Sequence, residues 1–297
     1  MKRIITLIFF LISIVGVKLY SQQNPLYTQF MFNPYVINPA LAGTHNYYQI
    51  RSNHRFQWTG IKDAPITNTL SIYGPLEKQP MGIGGYIFSD VIGPESKTGI
   101  YGTYAYNYPI NDRIKVSMGL TAGFLQYKID GTKINFHETE PIYSGGIESK
   151  FIPDANVGVY LYSSMFHVGF AANQLINNKL NFGTDPTGLS KLKSHFYLTG
   201  GYNYYINRDW IVEPTLILKQ VFPTPPQLDF ASRIIYQKMA WLGVSFRTSD
   251  AISVLLGYAY ENKLYIGYSY DIGINDIRSY NSGSHEVMIG FKFNDLK

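Results

Sequence analysis

Residues 113–124 read "RIKVSMGLTAGF". In an extended chain Ile114, Val116, Met118, Leu120, Ala122 and Phe124 share one face. Arg113, Lys115, Ser117, Gly119, Thr121 and Gly123 share the other. Strict period-two alternation of this length marks a strand with one face in an apolar environment. The pattern recurs at 251–260, where Ile252, Val254, Leu256, Tyr258 and Tyr260 alternate with Ala251, Ser253, Leu255, Gly257 and Ala259. It recurs again at 263–272, with Leu264, Ile266, Tyr268 and Tyr270 opposite Lys263, Tyr265, Gly267, Ser269 and Asp271.

The apolar face could pack against a second sheet or face lipid. The strands are long where soluble strands run about five or six residues. Apolar faces end in tyrosines such as Tyr104, Tyr106 and Tyr108, as in an interfacial aromatic girdle. Fourteen candidate strands can be laid out, at 48–57, 67–74, 81–90, 97–108, 113–127, 154–163, 165–174, 193–206, 210–220, 227–236, 239–247, 251–260, 263–272 and 284–293. Connectors after even-numbered strands are all short. The long ones, 128–153, 175–192 and 273–283, all follow odd-numbered strands. Short turns at one rim and long loops at the other describe an antiparallel transmembrane β-barrel. Twelve or sixteen strands also fit the pattern, because boundaries read from sequence carry an error of a few residues.

An even count puts both chain ends on the periplasmic side. The first and last strands then become neighbours, since a sheet in lipid cannot leave an open edge. The first directs Arg51, Asn53, Arg55 and Gln57 inward and Tyr48, Ile50, Phe56 and Trp58 outward. The last directs Glu286, Met288, Gly290 and Lys292 inward. Arg55 and Glu286 are therefore expected to pair across the seam near the outer rim. Lys115, Glu213, Lys219, Asp229 and Arg233 also point inward, and their mixed signs allow pairing in the lumen.

Residues 1–21 read as a secretory signal: Lys2 and Arg3, an apolar run at 4–17, then Leu19-Tyr20-Ser21, with cleavage expected before Gln22. The run is short for a membrane anchor, and Lys18 interrupts it. Removing Lys2, Arg3 and Lys18 leaves 22 basic against 20 acidic residues, a net +2. Such a balance does not suggest nucleic acid as a partner. The absence of cysteine excludes disulfides, thiolate metal sites, a cysteine nucleophile and a lipidated N-terminal cysteine.

The division expected is a signal at 1–21, a periplasmic N-terminal segment or plug at 22–47 and a barrel at 48–297. The middle part carries "FNPYVINPALAG" at 32–43. Asn33-Pro34 and Asn38-Pro39 each suit an N-cap followed by proline at the first helical position. Gly43 suits a left-handed stop. Two single helical turns result, with Phe32, Tyr35, Ile37 and Leu41 as anchors, set in or across the periplasmic mouth.

Catalytic and cofactor signals are weak. His45, His54, His137, His167, His195 and His285 show no zinc-ligand spacing. Ser194-His195 and Ser284-His285 are adjacent on strands, so their side chains point to opposite faces and neither pair forms a nucleophile with its base. His137-Glu138-Thr139-Glu140 reads as a solvated loop in preference to a calcium site. "GIGG" at 82–85 lacks the lysine and helix of a phosphate loop and reads as close packing within the wall. The reading is a non-enzyme with no cofactor and no bound metal.

The stretches "QNPLYTQFMFNPYVINPALAG" (23–43), "RFQWTGIKDAP" (55–65), "YAYNY" (104–108) and "GSHEVMIGFKF" (283–293) together resemble the PorP/SprF family of Bacteroidetes outer-membrane proteins. The resemblance runs from the signal to the last strand, and its specific parts are the opening and closing motifs. It places Asn33, Pro34, Asn38, Pro39, Gly43, Arg55, Trp58, Gly283, Ser284, His285 and Glu286 in family motifs or partner-binding positions. It implies a role in the type IX secretion system, including export or surface anchoring of a secreted protein such as a gliding adhesin or its C-terminal domain. The partners implied are outer-membrane lipid, that secreted protein and periplasmic components of the system. A passive porin for small solutes is the alternative function.

Overall fold

The computed structural model describes residues 25–134, 146–180 and 191–295. The expected signal, the His137–Glu140 stretch and parts of two outer loops lie outside the described residues. Fourteen antiparallel strands form one closed ring. They are β1 (Tyr48–Phe56), β2 (Ile66–Pro75), β3 (Met81–Ile92), β4 (Glu95–Pro109), β5 (Lys115–Asp130), β6 (Ile147–Tyr162) and β7 (Phe166–Asn173). Then follow β8 (His195–Tyr202, resuming as Tyr204–Tyr205), β9 (Trp210–Gln220), β10 (Gln227–Tyr236), β11 (Ala240–Arg247), β12 (Ala251–Tyr260), β13 (Leu264–Gly273) and β14 (Ser284–Phe293). Asn203 interrupts β8, and both parts pair with β9.

Closure is made by β1 and β14, in register from Tyr48 opposite Phe293 to Phe56 opposite His285. No edge strand is left, which a spanning sheet requires. The alternating side chains sort as the sequence pattern requires. On β5, Met118, Leu120 and Phe124 are exposed on the outside, whereas Ser117 and Thr121 are buried inside. Tyr104, Tyr106 and Tyr108 face outward toward the lower rim. This outward apolar band is a lipid-facing surface.

The rims are unequal, as expected. Periplasmic turns such as 110–114, 163–165 and 261–263 are short, whereas the outer connections include 131–146, 174–194 and 274–283. One boundary departs from the sequence reading. The strand placed at 154–163 begins at Ile147, and β5 continues to Asp130, opposite it. The loop read as 128–153 is therefore 131–146. Above the lipid both faces of a hairpin meet water, so the alternation that signals a strand fades there.

Candidate functional site

The lumen is occupied by the chain's own beginning. Residues 28–42 are almost entirely buried within the ring of strands. Phe32, Tyr35, Ile37 and Leu41 are all buried, as their role as anchors required. Two single 3-10 turns, Pro34–Val36 and Pro39–Leu41, follow the two Asn-Pro pairs. Proline fixes φ for the first position of each turn.

The two asparagines do different work. Asn38 caps its turn, its side-chain oxygen accepting from the Ala40 N–H at 2.9 Å. Its Nδ2 donates to the carbonyl oxygens of Val159 at 3.1 Å and Phe170 at 3.3 Å, on β6 and β7. Asn33 makes no capping bond, contrary to the sequence reading. Its Nδ2 donates to Asn53 Oδ1 at 2.8 Å, and its Oδ1 accepts from Ser71 Oγ at 3.2 Å. The wall competes for this side chain and takes it. Gly43 has φ +75, the left-handed stop expected.

Glycines in the wall make the close approach possible. A side chain on Gly82 would overlap the Ala42 backbone, one on Gly119 would meet Pro39 and Ala40, and one on Gly158 would overlap Asn38. The glycines of "GIGG" thus serve close packing, with Gly82 against the luminal segment as well as within the wall. Aromatic contacts fill the remaining space. Tyr35 stacks on Tyr73 with ring centroids 4.2 Å apart, and Phe32 lies 4.7 Å from Trp241. The Tyr35 hydroxyl donates to Thr103 Oγ1 at 2.7 Å, and Tyr27 shares a hydrogen bond with Thr69. Burial pushes the phenols of Tyr27 and Tyr35 well above their ordinary pKa, outweighing these hydrogen bonds. Both therefore remain neutral.

The segment reaches further than the periplasmic mouth. Thr28 and Gln29 lie among side chains close to the outer ends of their strands. There a belt of buried charges runs from wall to wall. Lys219 Nζ is 2.7 Å from Asp229 Oδ2, which is 3.0 Å from Arg247 Nε. Arg55 Nη2 is 2.7 Å from Asp271 Oδ2, and Arg55 Nη1 is 3.3 Å from Glu286 Oε2. The Arg55–Glu286 pair expected across the seam is present, and the two residues are opposite each other in register. Arg247 also pairs with Asp250 at 2.9 Å.

Thr28 sits in the middle of this belt. Its hydroxyl donates to Asp271 Oδ2 at 2.7 Å and accepts from Arg55 Nη1 at 2.9 Å and Arg247 Nη2 at 3.2 Å. The N–H groups of Thr28 and Gln29 donate to the two Glu286 carboxylate oxygens at 2.8 Å and 3.3 Å. Buried ion pairs often add little net stability over an apolar replacement, but they are specific, because a missing partner leaves a buried charge exposed to a large penalty. The belt therefore fixes where the segment sits. Asp271, Arg247 and Thr28 escaped the sequence reading as a group. The one signal for Asp271 and Arg247 was an inward position near a strand end, and Thr28 had none.

The closing motif strengthens the same seam. The Trp58 N–H donates to Ser284 Oγ at 3.1 Å, and the Thr59 N–H donates to the Gly283 carbonyl at 2.8 Å. β1 ends at Phe56, so Trp58 lies just beyond it, with φ +50. His285 faces outward, and its Nδ1 shares a hydrogen bond with the Tyr268 hydroxyl at 2.7 Å. Ser194 Oγ bonds Asn177, whereas His195 Nδ1 bonds the Lys193 carbonyl. Neither Ser-His pair is joined. Among the described residues no group of three or more His, Asp or Glu side chains is arranged to hold a metal ion. In the lumen, Arg233 Nη2 pairs with Glu213 at 2.8 Å and stacks over Phe32.

Residues 19–291 match the family described as type IX secretion system membrane protein PorP/SprF. Among solved structures the barrel is similar to the toluene transporter TbuX of Ralstonia pickettii, at 8% identity and a TM-score of 0.52, over 88% of this chain and 93% of that one. The toluene transporter TodX of Pseudomonas putida aligns at 9% identity and a TM-score of 0.47, over 88% of this chain and 92% of that one. A KdgM porin aligns at 10% identity and a TM-score of 0.42, over 83% of this chain and 99% of that one. At 8% identity the likeness to TbuX concerns the barrel fold and nothing finer. No curated protein matches the sequence.

Proposed function

The chain belongs to the PorP/SprF family of type IX secretion system membrane proteins, and from that premise we propose a closed, non-catalytic outer-membrane scaffold. It assists export or surface anchoring of a secreted protein, such as an adhesin held through its C-terminal domain. The observation that carries this reading is the luminal segment. A barrel of fourteen strands is wide enough for an aqueous channel unless it is filled. Here residues 28–42 cross it and bond to strands around the ring. A passive porin for small solutes has no use for such an obstruction.

In this reading a cleaved signal precedes the segment, and the barrel faces three environments. Lipid meets the apolar band. The outer loops 131–146, 174–194 and 274–283 meet the secreted protein. The short turns and the periplasmic mouth meet periplasmic parts of the secretion system.

The test replaces each outer loop in turn by a short turn and follows surface display of the secreted partner. Loss of display with at least one replacement, while the barrel still assembles in the outer membrane, is the expected result. Full display with all three replacements removes the outer face from the account.

A further inference from the structure

Most luminal cations have an acid beside them, as at Arg55, Lys219, Arg233 and Arg247. At the periplasmic end Arg51 and Lys292 do not. A cavity of about 430 Å³ opens there, walled in part by Arg51, Lys292, Lys238, Tyr47, Tyr265 and Trp241. A second cavity of about 670 Å³ shares Met31, Pro34 and His45 with it and reaches the turns at 110–114 and 163–165. Arg51 is 6% exposed. Its Nε and Nη2 donate to the neutral Gln49 Oε1, at 3.2 Å and 3.0 Å. Its guanidinium carbon lies 4.8 Å from the centre of the Tyr265 ring, and Lys292 Nζ lies 4.4 Å from the same ring. Lys292 also sits 4.5 Å from the centre of the Tyr47 ring. Among the described residues no carboxylate lies within ion-pair distance of either cation. Asp295, just past β14, is exposed and makes no ion pair with either, although its charge acts on Lys292 from a longer distance.

For Arg51, a buried charge without a counter-charge is costly, and Lys292, a second like charge at the same Tyr265 ring, adds to the cost. An aromatic face offsets part of it. A carboxylate entering from below would offset the rest, taking Arg51 donors in place of the neutral Gln49 oxygen, since a charge-assisted bond is the stronger one. The space is far larger than one small anion fills, given that a water molecule takes about 30 Å³ of liquid volume. The tyrosine and tryptophan walls suit a chain with apolar and polar parts. Because these side chains point into the lumen, lipid does not reach them.

We propose that this vestibule binds an acidic peptide segment presented from the periplasm, with Arg51 and Lys292 receiving its carboxylates. The inference goes beyond the scaffold reading and does not depend on it, since binding is measured on the purified barrel.

The probe is a fluorescein-labelled, amidated tetraglutamate, titrated by fluorescence anisotropy against the detergent-solubilised mature chain. A labelled tetraglutamine is its uncharged control. The expected result is saturable binding of tetraglutamate, with none measurable for tetraglutamine. Arg51→Gln and Lys292→Gln each weaken binding at least about tenfold, as loss of a charge-assisted bond implies. Lys150→Gln on β6, near the outer rim, leaves it unchanged. Lys292 is half-exposed at the mouth, so its variant keeps the test valid if Arg51→Gln does not fold. Equal binding of both peptides, or unchanged affinity in Lys292→Gln, overturns the proposal. Inorganic phosphate that displaces tetraglutamate at equal concentration reassigns the site to a small anion and overturns the peptide assignment.

Discussion

Glu286→Gln is the sharpest single perturbation of the luminal segment. The Glu286 carboxylate is fully buried. It accepts from the N–H groups of Thr28 and Gln29, from Asn53 Nδ2 at 3.4 Å and from Arg55. A glutamine keeps one acceptor oxygen and turns its NH2 toward groups that are themselves donors. The Arg55 pair and at least one charge-assisted bond to the segment are lost. Arg55 retains Asp271 at 2.7 Å, so it is not left wholly unpaired. Two bonds to a charged group at about 1.5–3 kcal/mol each sum to roughly 3–6 kcal/mol; removing one partner of a buried pair costs about 3–5 kcal/mol, and that narrower range applies here. At about 1.4 kcal/mol per tenfold, the population with residues 25–30 released rises roughly a hundredfold to a few thousandfold. The assay is limited chymotrypsin digestion of the folded barrel, with the new N-terminus read by mass spectrometry. Cleavage follows the released population when reclosing outpaces the protease. Tyr27, Phe30 and Phe32 are the expected cut sites. A digestion rate within twofold of the parent would refute the claim that the belt holds the segment.

The remaining predictions concern other contacts of the same segment. Thr28→Val keeps shape but removes the hydroxyl shared by Asp271, Arg55 and Arg247. It is expected to expose the same cut sites, with the thermal unfolding of the strand ring seen by circular dichroism little changed. Gly158→Val places a side chain where Asn38 lies. Cleavage should then appear at Tyr35 and Leu41, because the second turn loses its seat between β6 and β7. Phe32→Ala removes a ring packed between Trp241 and Arg233. It should lower stability by about 3–5 kcal/mol, and a denaturant midpoint equal to the parent's would contradict that packing.

The barrel was legible because lipid on one side and a lumen on the other impose the same alternation on every strand. Arg113 to Phe124 carries it without a break. The seam followed from closure and parity, and so Arg55 could be matched to Glu286. The N-terminal turns were legible through Asn-Pro and Gly43, which act locally. What escaped was set by distant partners. Nothing near Asn33 shows that Asn53 and Ser71 draw its side chain away from the cap. Nothing near Thr28 shows that Asp271, Arg247 and Glu286 converge on it. The inward glycines at 82, 119 and 158 held a signal for a luminal occupant, since each would otherwise carry a side chain into that space.

The central claim is that the barrel holds its own N-terminal segment and is closed by it. Single-channel recording of the purified mature chain in a planar bilayer tests this most directly, beside a chain lacking residues 25–43. The account predicts no steady conductance from the full mature chain and a steady open level from the shortened one. A steady open pore of equal conductance in both would contradict it.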